Sequence, residues 1–435
     1  MRIVLATFLF HVFAQNVHSS NLESVLDWMQ KNSDAPEDGL APGIYGQPQL
    51  KAISRYIPPG YLKEFDFDAL SIEIEPTAIY LPPIVYSKTS QKYSGLSTIS
   101  EDGVLESHVA GQPFTKDQIL MNDSAREAGH MVAWNRVFRW QNHGSRNQNI
   151  MAFVKASGDA LSGKRLANMH GGGHVFRHVG VFYHRVYFSN IVTSPSTNYR
   201  LKIDGSDELL YKEFVEMTSP TDLAGMKFVI ERAVTPYVDD QVNSYLPTER
   251  RVRRLSAKER ADSWVGSEMT FDDFEGFSGL VLDNDWRLLG QKVVLRIPNS
   301  KHEVSQYHGR MSTIPLDRWQ LRTCFVVEAK PKWKGHPFSR RILFIDEQTY
   351  SVAMSLIFDR SDKLFEVISV VYGRGDSKGK NVLGDSVPNF RSTNVINLRD
   401  DIASLGGVTR ETAYPQVKVR EVRKLFSVSS LTSGR

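Results

Sequence analysis

The stretch 350–372, YSVAMSLIFDRSDKLFEVISVVY, decides the fold class. It contains two runs rich in β-branched and aromatic residues, 350–359 and 364–372, and such runs are typical of strands. Only four residues, Arg360–Lys363, lie between them, so the two strands must form an antiparallel hairpin. We therefore expect an antiparallel sheet in this region.

The first of these strands alternates bulky and small side chains, and successive side chains of a strand point to opposite faces. The small side chains are those of Ser351, Ala353 and Ser355. The bulky set is the candidate wall of an apolar ligand cavity and consists of Tyr350, Val352, Met354, Leu356 and Phe358. Packing against a second layer as ordinary core is the alternative for this set, because every half-buried strand shows such alternation.

Further strands are predicted in the chain before the hairpin. Their sequences are β-branched and aromatic, and most are bounded by turn residues. They cover 130–140, 178–190, 225–234, 292–297, 323–330 and 341–346. The sequence therefore predicts a mainly β domain over 116–435, dominated by one large antiparallel sheet.

The N-terminal part of the chain differs from this domain. Residues 1–19 contain a short apolar run behind Arg2 and predict a secretory signal peptide, cleaved after Ala14 or after Ser19, with a buried first strand or helix as the alternative. Residues 21–31 have the apolar spacing of an amphipathic helix. The Pro-, Gly- and Tyr-rich remainder predicts an extended arm, so that 20–115 forms one unit packed on the main domain.

Composition limits the possible partners and anchors. The 53 basic and 49 acidic side chains nearly balance, which argues against a nucleic-acid partner. The single cysteine, Cys324, excludes an internal disulfide and a thiol-based zinc site. No cysteine stands directly after the apolar N-terminal run, so we expect no lipid anchor. No later stretch has the ~18 consecutive apolar residues that cross a bilayer. We expect a soluble mature chain.

Catalytic and cofactor motifs are few. The sequence has no H-E-x-x-H, G-x-S-x-G, Walker A or dinucleotide fingerprint, and we predict no cofactor. The nearest approach to a metal motif is NMHGGGHVFRH, with His170, His174 and His178 at spacings of four. The alternative is a glycine turn that leads into a strand, because three glycines break any helix there.

Several longer segments resemble a known family. They are 245–277, 326–367, the PPGY segment Pro58–Tyr61, the G-x-PF step Gly111–Phe114, and Ala128–Gly129 followed by Ala133–Asn135. Together they resemble the outer membrane lipoprotein-sorting proteins of Gram-negative bacteria, and most closely the branch called domain of unknown function 1329. The resemblance spans about residues 50 to 425.

The resemblance implies a periplasmic protein with a lipoprotein-carrier-like fold. In that fold an open, bent antiparallel half-barrel is covered by helices and loops and holds an apolar cavity for acyl chains. It also implies an inner-membrane transporter of the resistance-nodulation-division type as a partner. The N-terminal region of the present chain is longer than that of the small lipoprotein carriers, so their clients cannot be transferred to it.

A basic segment followed by an acidic aromatic one, within 249–279, predicts a cover over the cavity. Bidentate pairing of arginine with carboxylate would fix it. The candidate charged residues are Arg251, Arg253, Asp262, Asp272 and Asp273, and the covering aromatic residues are Trp264, Phe271 and Phe274. Thr270 followed by Asp273 is a signal for a helix start. Two independently solvated charged faces are the alternative.

Three functions remain open from the sequence. The first is a non-enzymatic periplasmic carrier of a hydrophobic small molecule or lipid. The second is a metal-dependent envelope enzyme that uses the His170 to His178 region. The third is an adaptor of a membrane transporter, which would show a filled barrel and an exposed apolar patch.

Overall fold

The computed structural model describes residues 21–141, 143–156, 166–203, 206–373, 389–412, 422–423 and 426–432. The predicted signal peptide lies outside these residues. The structure confirms a mainly β chain built on one large, open sheet.

The helices are few and mostly short. The predicted N-terminal helix is present and begins after Asn21, whose side chain accepts a hydrogen bond from the Ser24 backbone N–H. The helices are α1 Leu22–Lys31, α2 Leu50–Ile53, α3 Ile84–Lys92, α4 Lys116–Leu120, α5 Ala125–Phe138 and α6 Val428–Thr432.

Strands make up most of the regular structure. In the first half of the chain they are β1 Gly43–Tyr45, β2 Ile72–Ile74, β3 Thr98–Ile99, β4 Leu105–Glu106, β5 Gly144–Lys155, β6 His174–Tyr187, β7 Leu209–Ser219, β8 Lys227–Ala233, β9 Gln241–Leu246 and β10 Arg251–Leu255. In the second half they are β11 Asn284–Arg296, β12 Tyr307–His308, β13 Ile314–Pro315, β14 Arg318–Pro331, β15 Arg340–Asp346, β16 Val352–Phe358, β17 Leu364–Gly373, β18 Asn389–Asn397 and β19 Ile402–Thr412.

The main sheet runs in the order β11-β14-β15-β16-β17-β18-β19-β5-β6-β7-β8-β9-β10, with every pair antiparallel. The predicted hairpin is the β16–β17 pair. The small β1–β2 ladder joins through a parallel pairing of β2 with the first residues of β14. Among the described residues the end strands β10 and β11 do not pair with each other, so the sheet does not close into a barrel.

One face of the sheet, here called the arm face, is covered by the N-terminal segment 22–74. Trp28 packs edge-on against Phe344 with ring centroids 6.1 Å apart, and Phe65 packs against Trp319 at 5.7 Å. The segment is less extended than expected, because it forms α1, α2 and the β1–β2 ladder. At the far end of the sheet the C-terminal residues Val422, Phe426 and Leu431 pack on the same side. The arm face is therefore largely buried under the chain's own termini.

The opposite face, here called the cover face, is covered by helix α5 and by residues 257–283, which we call the cover segment. The cover segment contains three 3₁₀ turns, Ala257–Ala261, Phe271–Gly276 and Val281–Asp283. Its middle turn contacts β16, β17 and β18. The central strands are thus buried on both faces, and every residue of β16 is buried.

The predicted strand 130–140 is wrong, because this segment is the C-terminal part of helix α5. Ser124 caps the helix by accepting a hydrogen bond from the Glu127 N–H at 3.2 Å. Gly129 lets the helix lie directly on β11, since a Cβ at this position would stand 2.6 Å from the Arg287 backbone N. A helix that is buried on most sides lacks the alternation of apolar and polar faces that identifies a helix in a sequence. Its apolar residues are therefore equally consistent with a buried strand.

The candidate cavity wall on β16 does not lie on one face. A β-bulge at Ala353 changes the register against β15 between Phe344 and Ile345. As a result Tyr350 and Val352 pack with the cover-face cluster that includes α5, whereas Met354, Leu356 and Phe358 pack on the arm face. All five side chains are buried in packed core, and none of them lines the cavities described below.

Candidate functional site

The middle turn of the cover segment is fixed by its own first residues. The Thr270 hydroxyl oxygen accepts a hydrogen bond from the Asp272 N–H at 3.2 Å, and the Asp273 carboxylate accepts one from the Thr270 N–H at 2.6 Å. This is the helix start that the spacing of Thr270 and Asp273 predicts. Glu275 and Gly276 then adopt positive φ angles of 50° and 81° and turn the chain back across the sheet. Such a φ is unfavourable for glutamate and persists only where other contacts hold the residue.

The predicted aromatic residues of the cover do lie on the sheet. Trp264 is 4% exposed and packs against Phe274 with ring centroids 5.4 Å apart. Phe271 packs edge-on against Phe228 of β8 at 5.6 Å. Met269 is buried beside them. The cover segment therefore presents a continuous apolar underside to the sheet.

A narrow apolar cleft lies between this underside and strands β5, β6, β18 and β19. Its volume is about 60 Å³. Part of its floor carries no side chains, because β19 has Gly406 and Gly407 at this point. A Cβ on Gly406 would stand 3.8 Å from the Met269 Sδ, which shows how closely cover and floor approach. The remaining lining residues are Ser145, Asn147, Asn149, Ile150, Met151, Val181, Tyr183, Arg185, Trp264, Phe274, Glu275, Phe390 and Thr393.

Buried ion pairs hold the cover segment to the sheet at one end. Arg260 binds Asp240 of the β8–β9 connection at 2.6 Å and Asp272 of the cover at 2.9 Å. Arg232 on β8 binds the same Asp240 at 2.7 Å. Burial raises the pKa of Asp240, but the two guanidinium groups outweigh it and keep that pKa below its usual value. Asp240 is therefore a charged, fully buried junction between sheet and cover.

A second buried ion pair between sheet and cover segment lies nearer the β16–β17 hairpin, where Arg341 of β15 donates a hydrogen bond to Asp273. Both groups are almost completely buried. Asp272 and Asp273 thus pair with arginines as expected. Their partners, however, are Arg260 and Arg341.

The expected partners Arg251 and Arg253 do not reach the cover. They lie exposed on β10, at the edge of the sheet, and Arg253 pairs with Glu249 at 2.5 Å with 60% of its side chain exposed. Asp262 is exposed as well. The cover segment begins two residues after β10 and packs in one cluster with Leu255 of that strand, but its carboxylates Asp272 and Asp273 contact Arg260 and Arg341 instead.

The inner end of the cleft is polar. Glu275 of the cover pairs with Arg139, which follows helix α5, and lies 3.8 Å from Arg185 of β6. Arg185 also binds Glu213 at 2.5 Å, and that carboxylate accepts a hydrogen bond from the Tyr183 hydroxyl at 2.7 Å. Burial raises the pKa of Glu275, but the neighbouring arginines outweigh it and hold the pKa below its usual value.

A further arginine, Arg136 of α5, completes this polar end. It is 7% exposed, and burial, with help from Arg139, lowers its pKa to about 10. Sequence reasoning missed Arg136, Arg139 and Arg185. The sequence did offer an indication of them, because all three arginines lie in apolar stretches that are expected to be buried, 130–140 and 178–190. A buried arginine requires a charged partner, so such arginines point to an ion-pair cluster.

A second, larger cavity of about 320 Å³ touches the cleft at Ile150 and Gly407 but opens toward the arm face. Its wall is apolar for the most part. The lining residues are Ile150, Ala152, Leu166, Ala167, Asn168, Met169, Val304, Ser305, Tyr307, Leu405, Gly407, Val408 and Thr409.

The structure does not bring the three candidate metal ligands together. His170 is exposed and its Nε2 lies 2.8 Å from the Gln306 Oε1. His174 and His178 stand four residues apart on β6, which separates them by about 13 Å along the strand. Within the described ranges no group of three His, Cys, Asp or Glu side chains has a metal-binding arrangement. Nor does any described helix have the length and apolarity to span a membrane.

Comparison with solved structures finds related chains at low identity. A DUF1329 family protein from Desulfovibrio piger is 15% identical, with a TM-score of 0.47, and the alignment covers 71% of this chain and 99% of that one. A putative outer membrane lipoprotein-sorting protein domain from Vibrio parahaemolyticus is 14% identical, with a TM-score of 0.46 over 71% and 100% of the two chains. A LolA superfamily protein from Nitrosomonas europaea is 11% identical, with a TM-score of 0.37 over 68% and 94%.

No curated protein matches the chain at a significant level. A family profile described as "Protein of unknown function (DUF1329)" matches residues 61–431. The match covers most of the chain, including helix α5, the cover segment and the sheet. The chain therefore belongs to the DUF1329 family.

Proposed function

We propose that the protein binds a hydrophobic ligand with an extended apolar chain and carries it through the periplasm. The observation that carries this proposal is the apolar cleft between the sheet and the cover segment. The cleft is floored by glycines and roofed by Trp264, Met269 and Phe274. Its roof is tied to the sheet by side-chain ion pairs, and among the described residues the cover segment adds no strand to the main sheet.

The cleft as it stands is the closed state of this site. A water molecule requires about 10–15 Å³ of such volume, so 60 Å³ holds only about four. An acyl chain gains about 0.8 kcal/mol for each buried methylene. Eight methylenes therefore contribute roughly 6 kcal/mol toward the cost of separating the apolar roof from its floor. Binding thus requires the cover segment to move away from β18 and β19.

The periplasmic location rests on the predicted signal peptide and on the resemblance of the sequence. The transporter of the resistance-nodulation-division type that the resemblance implies has no support in the structure. The histidine-based enzyme is disfavoured by the separation of its three imidazoles. A pure adaptor would need a filled interior, and the cleft argues for ligand binding instead.

A reversible cross-link between cover and floor tests the proposal. Met269→Cys with Gly406→Cys places a thiol on each side of the cleft, since a Cβ on Gly406 would stand 3.8 Å from the Met269 Sδ, and Gly406 has a backbone conformation that other residues adopt. The native Cys324 is fully buried, and burial raises the pKa of its thiol, so it stays inert. Each single variant serves as a matched control.

We expect the reduced double variant to bind N-phenyl-1-naphthylamine, a neutral apolar dye, and the oxidised form to lose at least nine-tenths of this binding. Reduction should restore it. Full binding by the oxidised protein would contradict the proposal for the cleft and would place the ligand in the 320 Å³ cavity, whose wall the cross-link does not touch.

A further inference from the structure

The polar end of the cleft contains a buried guanidinium group that the protein itself does not satisfy. Arg136 donates one long hydrogen bond, 3.4 Å from its Nη2 to the Glu275 carbonyl oxygen. Its buried Nε has no hydrogen-bond partner in the described part of the chain, and no ion pair to Arg136 is found there. A guanidinium group has five donors, and a buried one without a carboxylate is strongly unfavourable. A hydrogen-bond acceptor that enters this position would satisfy these donors.

The cluster has more positive than negative charge. Arg136, Arg139 and Arg185 face the carboxylates of Glu213 and Glu275, which leaves three positive charges against two negative ones, an excess of one. Arg232 does not change this balance, because Asp240 binds it through both carboxylate oxygens at 2.7 and 2.9 Å. An added anion would neutralise the excess.

The cluster is continuous with the apolar cleft. Arg185, Phe274 and Glu275 line the cleft and also a recess of about 20 Å³ on the far side. Arg136 and Arg139 line that recess. An acyl chain lying along the glycine floor therefore has its end at the arginines, and the group at that end meets the guanidinium groups of Arg136, Arg139 and Arg185 once Glu275 is displaced.

We propose that Arg136, Arg139 and Arg185 form a head-group site for an anionic amphiphile, and that Glu275 fills part of this site while the cover is closed. The inference deepens the proposed function and rests on it. The ligand is a single-chain or multi-chain lipid whose head carries a carboxylate or a phosphate, since planar guanidinium groups bind both bidentately. Neutral and cationic heads do not fit.

The position of Glu275 couples the head group to the cover. Its carboxylate belongs to the cover segment, and its positive φ of 50° is held by the ion pairs to Arg139 and Arg185. When the ligand's anionic group binds these guanidinium groups, Glu275 loses its ion-pair partners. The turn Phe271–Gly276 is then no longer held to the sheet by Glu275. Binding of the head group thus allows the cover segment to move away from the cleft in which the ligand's acyl chain lies.

Affinity measurements with matched probes test this site. The probes are dodecanoate, dodecyl phosphate, dodecan-1-ol and dodecylammonium, each titrated by calorimetry into the full-length protein and into Arg136→Gln. We expect at least one anion to bind the wild type at least tenfold more tightly than the alcohol, as expected for a hydrogen bond to a buried charge. Tighter dodecanoate indicates a fatty acid, and tighter dodecyl phosphate indicates a phospholipid.

In Arg136→Gln the preference for the anion should disappear while the alcohol binds as before. Arg253→Gln is the matched control, because Arg253 is exposed on β10 and far from the cluster, and it should retain the preference. Equal binding of all four probes by the wild type would overturn the head-group site and leave the carrier proposal standing. Binding of none of them would contradict the carrier proposal itself.

Glu275→Gln provides a second readout if Arg136→Gln does not fold. It removes the carboxylate that competes with the ligand, so dodecanoate should bind at least tenfold more tightly than to the wild type, and dodecan-1-ol should gain less, because it gains only from the released cover. An unchanged dodecanoate affinity would show that Glu275 does not occupy the ligand's position.

Discussion

The buried junction at Asp240 makes the sharpest stability prediction. Its Oδ2 accepts hydrogen bonds from Arg232 at 2.7 Å and from Arg260 at 2.6 Å, and its Oδ1 accepts one from Arg232 at 2.9 Å. Asp240→Asn keeps the shape of the side chain but removes its charge and turns one acceptor into a donor. Arg260 retains Asp272, whereas among the described residues Arg232 retains the Ser278 carbonyl oxygen at 2.7 Å and the Tyr211 ring but no carboxylate.

The magnitude follows from this loss. Removing one partner of a buried ion pair destabilises a protein by about 3–5 kcal/mol, because a charge remains buried without compensation. At about 2 °C per kcal/mol for a large chain, the melting temperature should fall by roughly 6–10 °C. Thermal unfolding followed by circular dichroism at pH 7 measures this change. Because Arg260 joins the cover to the sheet, limited proteolysis within 257–283 should also become faster.

Glu249→Gln is the matched control for this substitution. It makes the same chemical change at a carboxylate whose partner, Arg253, is 60% exposed, and surface pairs of this kind contribute about 0.5 kcal/mol. The melting temperature should therefore change by about 1 °C or less. If Asp240→Asn also melted within about 1 °C of the wild type, Asp240 would not be the charged junction that the geometry indicates.

Three further predictions concern packing, binding and pH. Gly129→Ala should destabilise the protein despite alanine's better helix propensity, because its Cβ would meet the Arg287 backbone at 2.6 Å, and the urea midpoint should fall. Gly406→Leu should abolish dye binding with little change in melting temperature, since its side chain would fill the cleft beneath Met269; unaltered binding would exclude the cleft. Burial, aided by Arg146, lowers the pKa of His184 to about 4, against about 6.5 when unfolded, so the unfolded chain binds the extra proton and stability falls as the pH drops from 6.5 to 4. His184→Phe should remove about 2 kcal/mol of this loss at pH 5, measured as the difference in unfolding free energy between pH 7 and pH 5, and an unchanged difference would contradict the assignment.

The strands that could be predicted are those with a clear local signal. β16 and β17 lie in two apolar runs, 350–359 and 364–372, that only four residues separate, so the hairpin follows from the sequence alone. β5 was not predicted, because its first half, SRNQN, is polar and exposes Arg146 and Gln148. β19 was not predicted either, and it contains Gly406 and Gly407, which have no side chains to show alternation. Both strands are fixed by their neighbours in the sheet.

The cover segment shows where sequence reasoning about the site stops. The aromatic and acidic residues of the cover segment could be identified from the sequence, because they are concentrated in one short stretch that follows a basic strand and a turn. Its partners Arg232 and Arg341 could not be identified, since they come from strands that only the sheet order brings beside the cover. The cavity wall was misplaced for a related reason. Both faces of β16 are buried, so the residue pattern does not distinguish them. The bulge at Ala353 moves the residues after it to the opposite face, and nothing in the sequence indicates this change.

The exposed arginines of β10 have a consequence of their own for a protein with an unclosed sheet. β10 is a terminal strand of the main ladder, and Arg251, Arg253 and Arg254 point into solvent. A second copy that approached this strand to extend the ladder would bring the guanidinium groups of the two molecules close together on both faces of the strand. Mutual repulsion of this kind opposes intermolecular β-pairing, and natural sheets rely on it to avoid aggregation. The basic run thus opposes self-association through the exposed backbone of this edge strand.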